Sequence, residues 1–203
     1  SMSLEQLKLF SGTANPNLAR DIADFLDVPL GPINTTNFSD GEIFCQIEDN
    51  ARGADVFVIQ PTCPPVNETL MELLIAVDAL KRASAARITA VVPYYGYARQ
   101  DRKDKPRVPI AAKLVAKMLE TAGATRIITM DLHADQIQGF FEKPVDHLFA
   151  STLFLPHLKK MKLENLTIAS PDMGGSKRAY AYSKALGSDV VICYKQRAKA
   201  NVI

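Results

Sequence analysis

The sequence predicts an α/β protein with parallel sheets flanked by helices, and three observations predict it. Short apolar runs rich in Val and Ile recur, as at residues 55–60, 88–92 and 126–130. Between them lie segments whose apolar residues return at helical spacing, the pattern of a parallel sheet covered by helices. At 203 residues and 47% hydrophobic content, the chain can bury a substantial core in one or two domains.

Residues 7–10 read as the first strand. Asn15 then places an N-cap before Pro16, whose fixed φ and missing N–H suit a first turn, and Leu18, Ile22, Phe25 and Leu26 form one apolar helical face. Residues 43–48 form a strand with poor alternation, and 55–60 a better one. A helix follows from about residue 67, with Leu70, Leu73, Leu74, Val77 and Leu80 on one side. The chain returns to the sheet at 88–92. Ile110, Leu114, Val115, Met118 and Leu119 mark the next helix, closed by Gly123 where helices favour a left-handed cap. Residues 126–130 are another buried strand. From Phe140 to Asp146 the rhythm breaks, which places a domain boundary near 148: an N-terminal α/β domain over 4–148 and the start of a second over 149–203. In the second, Ser151 is expected to cap a short helix containing Leu155 and Leu158, followed by a strand at 166–169, a helix at 177–186 and a strand at 190–193. With only two strands, this second domain reads as incomplete in the chain.

Composition excludes several classes. The net charge of +2 does not mark a nucleic-acid binder. Cys45, Cys63 and Cys193 are odd in number and far apart, with no C-x-x-C pair, as in a reduced cytoplasmic protein without structural zinc. No apolar run approaches a membrane span, and the N-terminus has no basic start followed by a hydrophobic stretch, so neither a membrane nor a secretory role is expected. Ser1 before Met2 reads as a residue left from expression.

Four polar segments remain after strands or between them. Residues 93–107 carry three tyrosines, Tyr94, Tyr95 and Tyr97, and five cations, Arg99, Arg102, Lys103, Lys105 and Arg107, directly after a buried strand. Ligands of open α/β sheets gather at such strand ends, and the cations offer an anion more charge than a turn requires. The tyrosines can stack a base or close the pocket; a solvated basic loop is the plainer reading. Asp131 and His133 stand two apart at the carboxyl end of the 126–130 strand, pointing to the same side, a geometry that serves a metal or, more commonly, a hydrogen-bonded structural histidine. His147 and His157 have no comparable setting and read as structural.

Ser170-Pro171-Asp172-Met173-Gly174-Gly175-Ser176-Lys177-Arg178 lies between a strand and a helix. Its two glycines let backbone amides approach an anion at a positive helix end, and Asp172 beside them suits Mg²⁺, which prefers oxygen ligands and keeps phosphates and waters in its shell. It is not a P-loop. A glycine-assisted turn capped by Asp is the alternative. Asn37-Phe38-Ser39-Asp40-Gly41-Glu42 is a turn cluster between weak strands and reads as a hairpin, except that Phe38 has little reason to sit there unless it packs or stacks on a ligand. Asp40 and Glu42 can accept from an exocyclic amine.

Together these segments resemble one family, the ribose-phosphate pyrophosphokinases or phosphoribosyl pyrophosphate synthetases. The resemblance runs through nearly all of the chain. Asn37 to Glu42, Pro93-Tyr94-x-Gly96-Tyr97-x-Arg99-Gln100-Asp101-Arg102, Asp131-Leu132-His133-Ala134, Gln136-Ile137-Gln138-Gly139-Phe140-Phe141 and Ser170-Pro171-Asp172-x-Gly174-Gly175 stand in the family's order. The resemblance implies two similar phosphoribosyltransferase-like domains with the site between them. It implies Mg²⁺-dependent transfer of the β,γ-diphosphate of ATP to the anomeric hydroxyl of ribose 5-phosphate, with release of AMP, and homo-oligomers, usually hexamers built from dimers.

Carried over by matching residues, Phe38, Asp40 and Glu42 hold adenine, partly across a subunit interface, and Arg99, Gln100 and Asp101 meet the nucleotide and its phosphates. His133 and Asp172 bind Mg²⁺. Lys195 and Arg197, in Tyr194-Lys195-Gln196-Arg197, match the basic pair at the start of the family's mobile catalytic loop. Arg52 and Gln136 match positions near a phosphate or ADP regulatory site in regulated members. The sequence departs from the family at its end, where members continue into an acidic-Thr-Gly loop that grips ribose 5-phosphate. Nothing in these residues matches that loop, so the chain alone is expected to hold the ATP half of the site and to show negligible turnover.

Other readings compete. A noncatalytic regulatory relative would have lost site residues, whereas His133, Asp172, Lys195 and Arg197 are all present. A phosphoribosyltransferase needs the acidic loop and has no need of the Phe38 or Arg99 motifs. A plain phosphate-binding module leaves the metal-ligand candidates unexplained, and an ordinary kinase would release ADP.

Overall fold

A computed structural model describes residues 6–196, which divide into two compact units at Leu148–Phe149, called units 1 and 2 in chain order. In unit 1, β1 (Leu7–Ser11) leads through α1 (Pro16–Leu26) to the hairpin β2 (Ile33–Asn37) and β3 (Ile43–Ile47). Then come β4 (Asp55–Ile59), α2 (Val66–Arg82), β5 (Arg87–Val92), α3 (Ala111–Ala122), β6 (Arg126–Met130), a 3-10 turn at Asp135–Phe140, and β7 (Val145–Leu148). Unit 2 comprises α4 (Ser151–Lys160), β8 (Thr167–Ser170), a 3-10 turn at Met173–Gly175, α5 (Ser176–Leu186) and β9 (Asp189–Ile192).

Unit 1 is built on a five-stranded sheet in the order β1-β4-β5-β6-β7, every neighbouring pair parallel. Parallel strands covered by helices bury both faces: Val56, Val58, Ile88, Ala90, Val92 and Ile127 are buried on one, and Leu9, Ile59 and Thr89 on the other. Leu70, Leu73, Val77 and Leu80 of α2 and Val115 and Leu119 of α3 complete this core, each fully buried aliphatic side chain contributing about 1.5–3 kcal/mol. Unit 2 carries its own parallel pair, β8 with β9.

The expected α/β class and helix signals hold, with physical exceptions. Asn15 accepts from Leu18 N–H at 3.1 Å with Pro16 in the first turn, and Gly123 ends α3 at φ 129°. In α1, however, Ala19 and Ala23 are the buried residues, while Phe25 is 90% exposed. Leu18 and Ile22 flank these alanines half-buried, while Phe25 and Leu26 stay exposed, so the covered face is rotated toward the alanines from the expected apolar stripe. Leu114 of α3 is likewise exposed. Ser151 is the first residue of α4, not its cap; Ala150 occupies that place, with no side-chain bond.

The break at 140–146 conceals a strand. β7 joins the sheet edge beside β6, where Asp146 pairs with Arg126. Val145-Asp146-His147-Leu148 lacks the β-branched run that announces a strand, because an edge position tolerates polar side chains.

Candidate functional site

The loop after β5 is rooted deep in unit 1. Tyr95 is 4% exposed, donates its hydroxyl to Ala112 O at 2.9 Å and meets Phe141 edge-on at 6.0 Å between ring centroids. Burial pushes its phenol well above the ordinary range, with Glu120 adding to the effect. Gly96 donates to Thr62 Oγ1 at 2.7 Å, and a Cβ there would stand 2.6 Å from Thr62 O and 2.7 Å from Val66 Cγ1. Tyr97, at φ 66°, donates its hydroxyl to Asn67 Oδ1.

Two of the three tyrosines are therefore anchors, not stacking platforms; Tyr94 alone among them is exposed, at 49%. Beyond the anchors, Arg99 and Gln100 are exposed and Asp101 half-buried. Gln100 O accepts from Ala112 N at 3.1 Å, and Gln136 Nε2 reaches Asp101 Oδ2 at 3.4 Å. The five cations are displayed from a fixed base, and none of them joins a salt bridge among the described residues.

Phe38, Asp40 and Glu42 lie at the tip of the β2–β3 hairpin. Phe38 N–H donates to Glu42 O at 2.8 Å, Gly41 takes φ 93°, and Asp40 Oδ1 accepts from Glu42 N–H at 3.0 Å. Phe38 stays 55% exposed, its ring braced edge-on by Phe44 at 5.9 Å. The hairpin and the displayed aromatic are thus both present.

Past β6 the strand alternation stops. Asp131 adopts φ 44°, so strand alternation no longer relates Asp131 to His133; Asp131 is half-buried and His133 exposed. His147, read from sequence as structural, touches this segment: its Nε2 accepts from Leu132 N–H at 3.0 Å, and its Nδ1 lies 3.8 Å from Asp135 Oδ1. The signal was hidden because His147 sits on β7. His157 lies on α4. Arg52 is exposed in a turn where its N–H donates to Asn50 Oδ1 at 3.1 Å.

In unit 2 the glycine turn holds itself. Ser170 Oγ donates to Asp172 O at 2.7 Å, and Asp172 Oδ1 accepts from Gly175 N–H at 3.3 Å, the Asp cap of the plainer reading. Lys195 is exposed just after β9, and Arg197 lies outside the described residues. Among the described residues no three His, Cys, Asp or Glu side chains group as a metal cluster.

Fold and loops define an α/β protein with a cationic loop after β5 and a glycine turn after β8, each at the carboxyl end of a parallel strand. Residues 7–123 match the family model for the N-terminal domain of ribose phosphate pyrophosphokinase, and the chain belongs to that family. It is 58% identical to the ribose-phosphate pyrophosphokinase of Wolinella succinogenes over 96% of its own length and 63% of that protein's. The corresponding Porphyromonas gingivalis protein is also 58% identical, with 96% and 62% covered. The crystal structure of phosphoribosylpyrophosphate synthetase from Mycobacterium smegmatis superposes with a TM-score of 0.90 at 45% identity, over 96% of this chain and 66% of that one. The chain thus spans a little under two thirds of the length of these curated relatives.

Proposed function

We propose that the full-length protein transfers the β,γ-diphosphate of ATP to the 1-hydroxyl of ribose 5-phosphate, giving 5-phosphoribosyl 1-pyrophosphate and AMP for nucleotide biosynthesis. The observation that carries this is the set of five ordered motifs, which fall on a hairpin tip, strand-end loops and a 3-10 turn of a chain that belongs to the family. The exposed, braced ring of Phe38 stacks adenine, and Asp40 and Glu42 accept from its exocyclic amine. Arg99, Gln100 and Asp101 orient the nucleotide and its phosphates from the rooted loop.

The sugar oxygen attacks the β phosphorus, the bond from that phosphorus to the α-side bridging oxygen breaks, and AMP leaves with the bridging oxygen. Lys195 and Arg197 balance charge that spreads over nonbridging oxygens, which needs positioned cations and no covalent intermediate. Bound Mg²⁺ would neutralise phosphate charge. His133 and Asp172 are the two donors proposed for it, in keeping with a cation that takes oxygen ligands and keeps phosphates and waters in its shell.

The proposal extends to a cytoplasmic homohexamer built from dimers, with phosphate or ADP regulation through Arg52 and Gln136. No described helix is long and apolar enough to cross a membrane. The test is to incubate the full-length protein with Mg-ATP and ribose 5-phosphate and to quantify AMP against ADP. AMP formed in step with sugar consumption is expected; ADP alone would overturn the assignment.

A further inference from the structure

We propose that His147 is a positioning residue that fixes the loop presenting His133. The inference rests on the reading of His133 as a cation ligand given above. β6 and β7 run parallel with Thr129 opposite His147, and the ladder closes where Asp131 N–H donates to Leu148 O at 2.9 Å. Beyond that bond Asp131 turns into the left-handed region at φ 44°, so the strand cannot supply an acceptor for the next N–H. That N–H belongs to Leu132, which is 5% exposed, and a buried donor must find a partner.

His147 Nε2 is that partner, at 3.0 Å. An imidazole accepting at Nε2 carries its proton on Nδ1, and Nδ1 faces Asp135 Oδ1 at 3.8 Å. A single ring, its side chain 5% exposed, thereby holds the residue before His133 and faces the residue two after it. His133 has no hydrogen bond or ion pair of its own among the described residues, so the backbone on either side sets where its imidazole points. Outer partners that orient a ligand typically change metal affinity by about 10–100-fold when removed.

The test uses the full-length protein with two variants. His147→Phe keeps the ring volume and removes the acceptor; His147→Gln offers Oε1 where Nε2 stood. Affinity for Mn²⁺ alone is read by electron paramagnetic resonance, the Mg²⁺ dependence of AMP formation by steady-state kinetics, and the Leu132 amide by hydrogen exchange. The His147→Phe variant is expected to weaken Mn²⁺ binding about tenfold or more, to raise the Mg²⁺ concentration for half-activation more than it lowers kcat, and to unprotect the Leu132 amide, with His147→Gln restoring each. Wild-type affinity in His147→Phe, or a ¹⁵N spectrum of the wild type placing the His147 proton on Nε2, would overturn the proposal. Should His147→Phe fail to fold, the wild-type spectrum and His147→Gln decide. His133→Ala separates the two readings: unchanged Mn²⁺ affinity there sinks the ligand role of His133, while the tautomer and Leu132 exchange still decide whether His147 fixes the loop.

Discussion

The loop after β5 and the turn after β8 both leave a parallel strand and both lead into a helix, yet they are held by opposite means. The first is nailed down by distant partners: Tyr95 to Ala112 O, Gly96 to Thr62, Tyr97 to Asn67. The second closes on itself, with Ser170, Asp172 and Gly175 bonding within six residues of chain. A long cationic excursion has no local code to fix its shape and borrows rigidity from the core. A short turn carries its own.

Changes that break or sharpen this contrast begin with the largest. Arg99→Ala in the full-length protein should lower kcat by about 10²–10³-fold while leaving the melting temperature unchanged, since the loop's root does not involve that side chain. Equal losses of activity and stability would mean that Arg99 supports the fold. Next, Gly96→Ala should destabilise by about 1–3 kcal/mol in urea unfolding, because its methyl meets backbone that cannot withdraw. Gly174→Ala, whose Cβ meets only Asp172 Oδ1 at 3.2 Å, should stay within about 0.5 kcal/mol. Comparable costs at the two glycines would erase the distinction drawn here.

Tyr95→Phe is a smaller perturbation, expected to cost about 1 kcal/mol by removing the hydroxyl that donates to Ala112 O. The smallest effect is alkaline. Because burial raises the Tyr95 phenol above its ordinary value of 10.0, the unfolded chain loses that proton first. Above pH 10 the unfolded state therefore binds fewer protons than the folded one, and the stability of unit 1 should fall as pH rises. Denaturant midpoints measured across that range should decline more steeply for the wild type than for Tyr95→Phe.

Much of the fold was legible because its signals are local. Asn15-Pro16 specifies a helix start, Gly123 a stop, and the runs at β4, β5 and β6 are apolar because both sheet faces are covered. α1 misled in part because which of its residues are covered, Ala19 and Ala23 almost fully and Phe25 barely, depends on the neighbouring element as well as on the helix's own pattern. β7 was hidden for a related reason: an edge strand needs a neighbour more than it needs a pattern, and Asp146 finds that neighbour in Arg126.

By itself, then, the sequence determined the α/β class, the hairpin carrying Phe38, a glycine turn at Asp172 and the motifs that identify the family, all features whose causes lie within a few residues of one another. Tertiary structure alone decided that Tyr95 and Tyr97 are anchors, that Asp131 leaves the strand, and that His147 reaches Leu132 from the adjacent strand. Each of these depends on neighbours that lie far away along the chain. Those neighbours are set by sheet register and burial, which bring together residues that the chain keeps far apart.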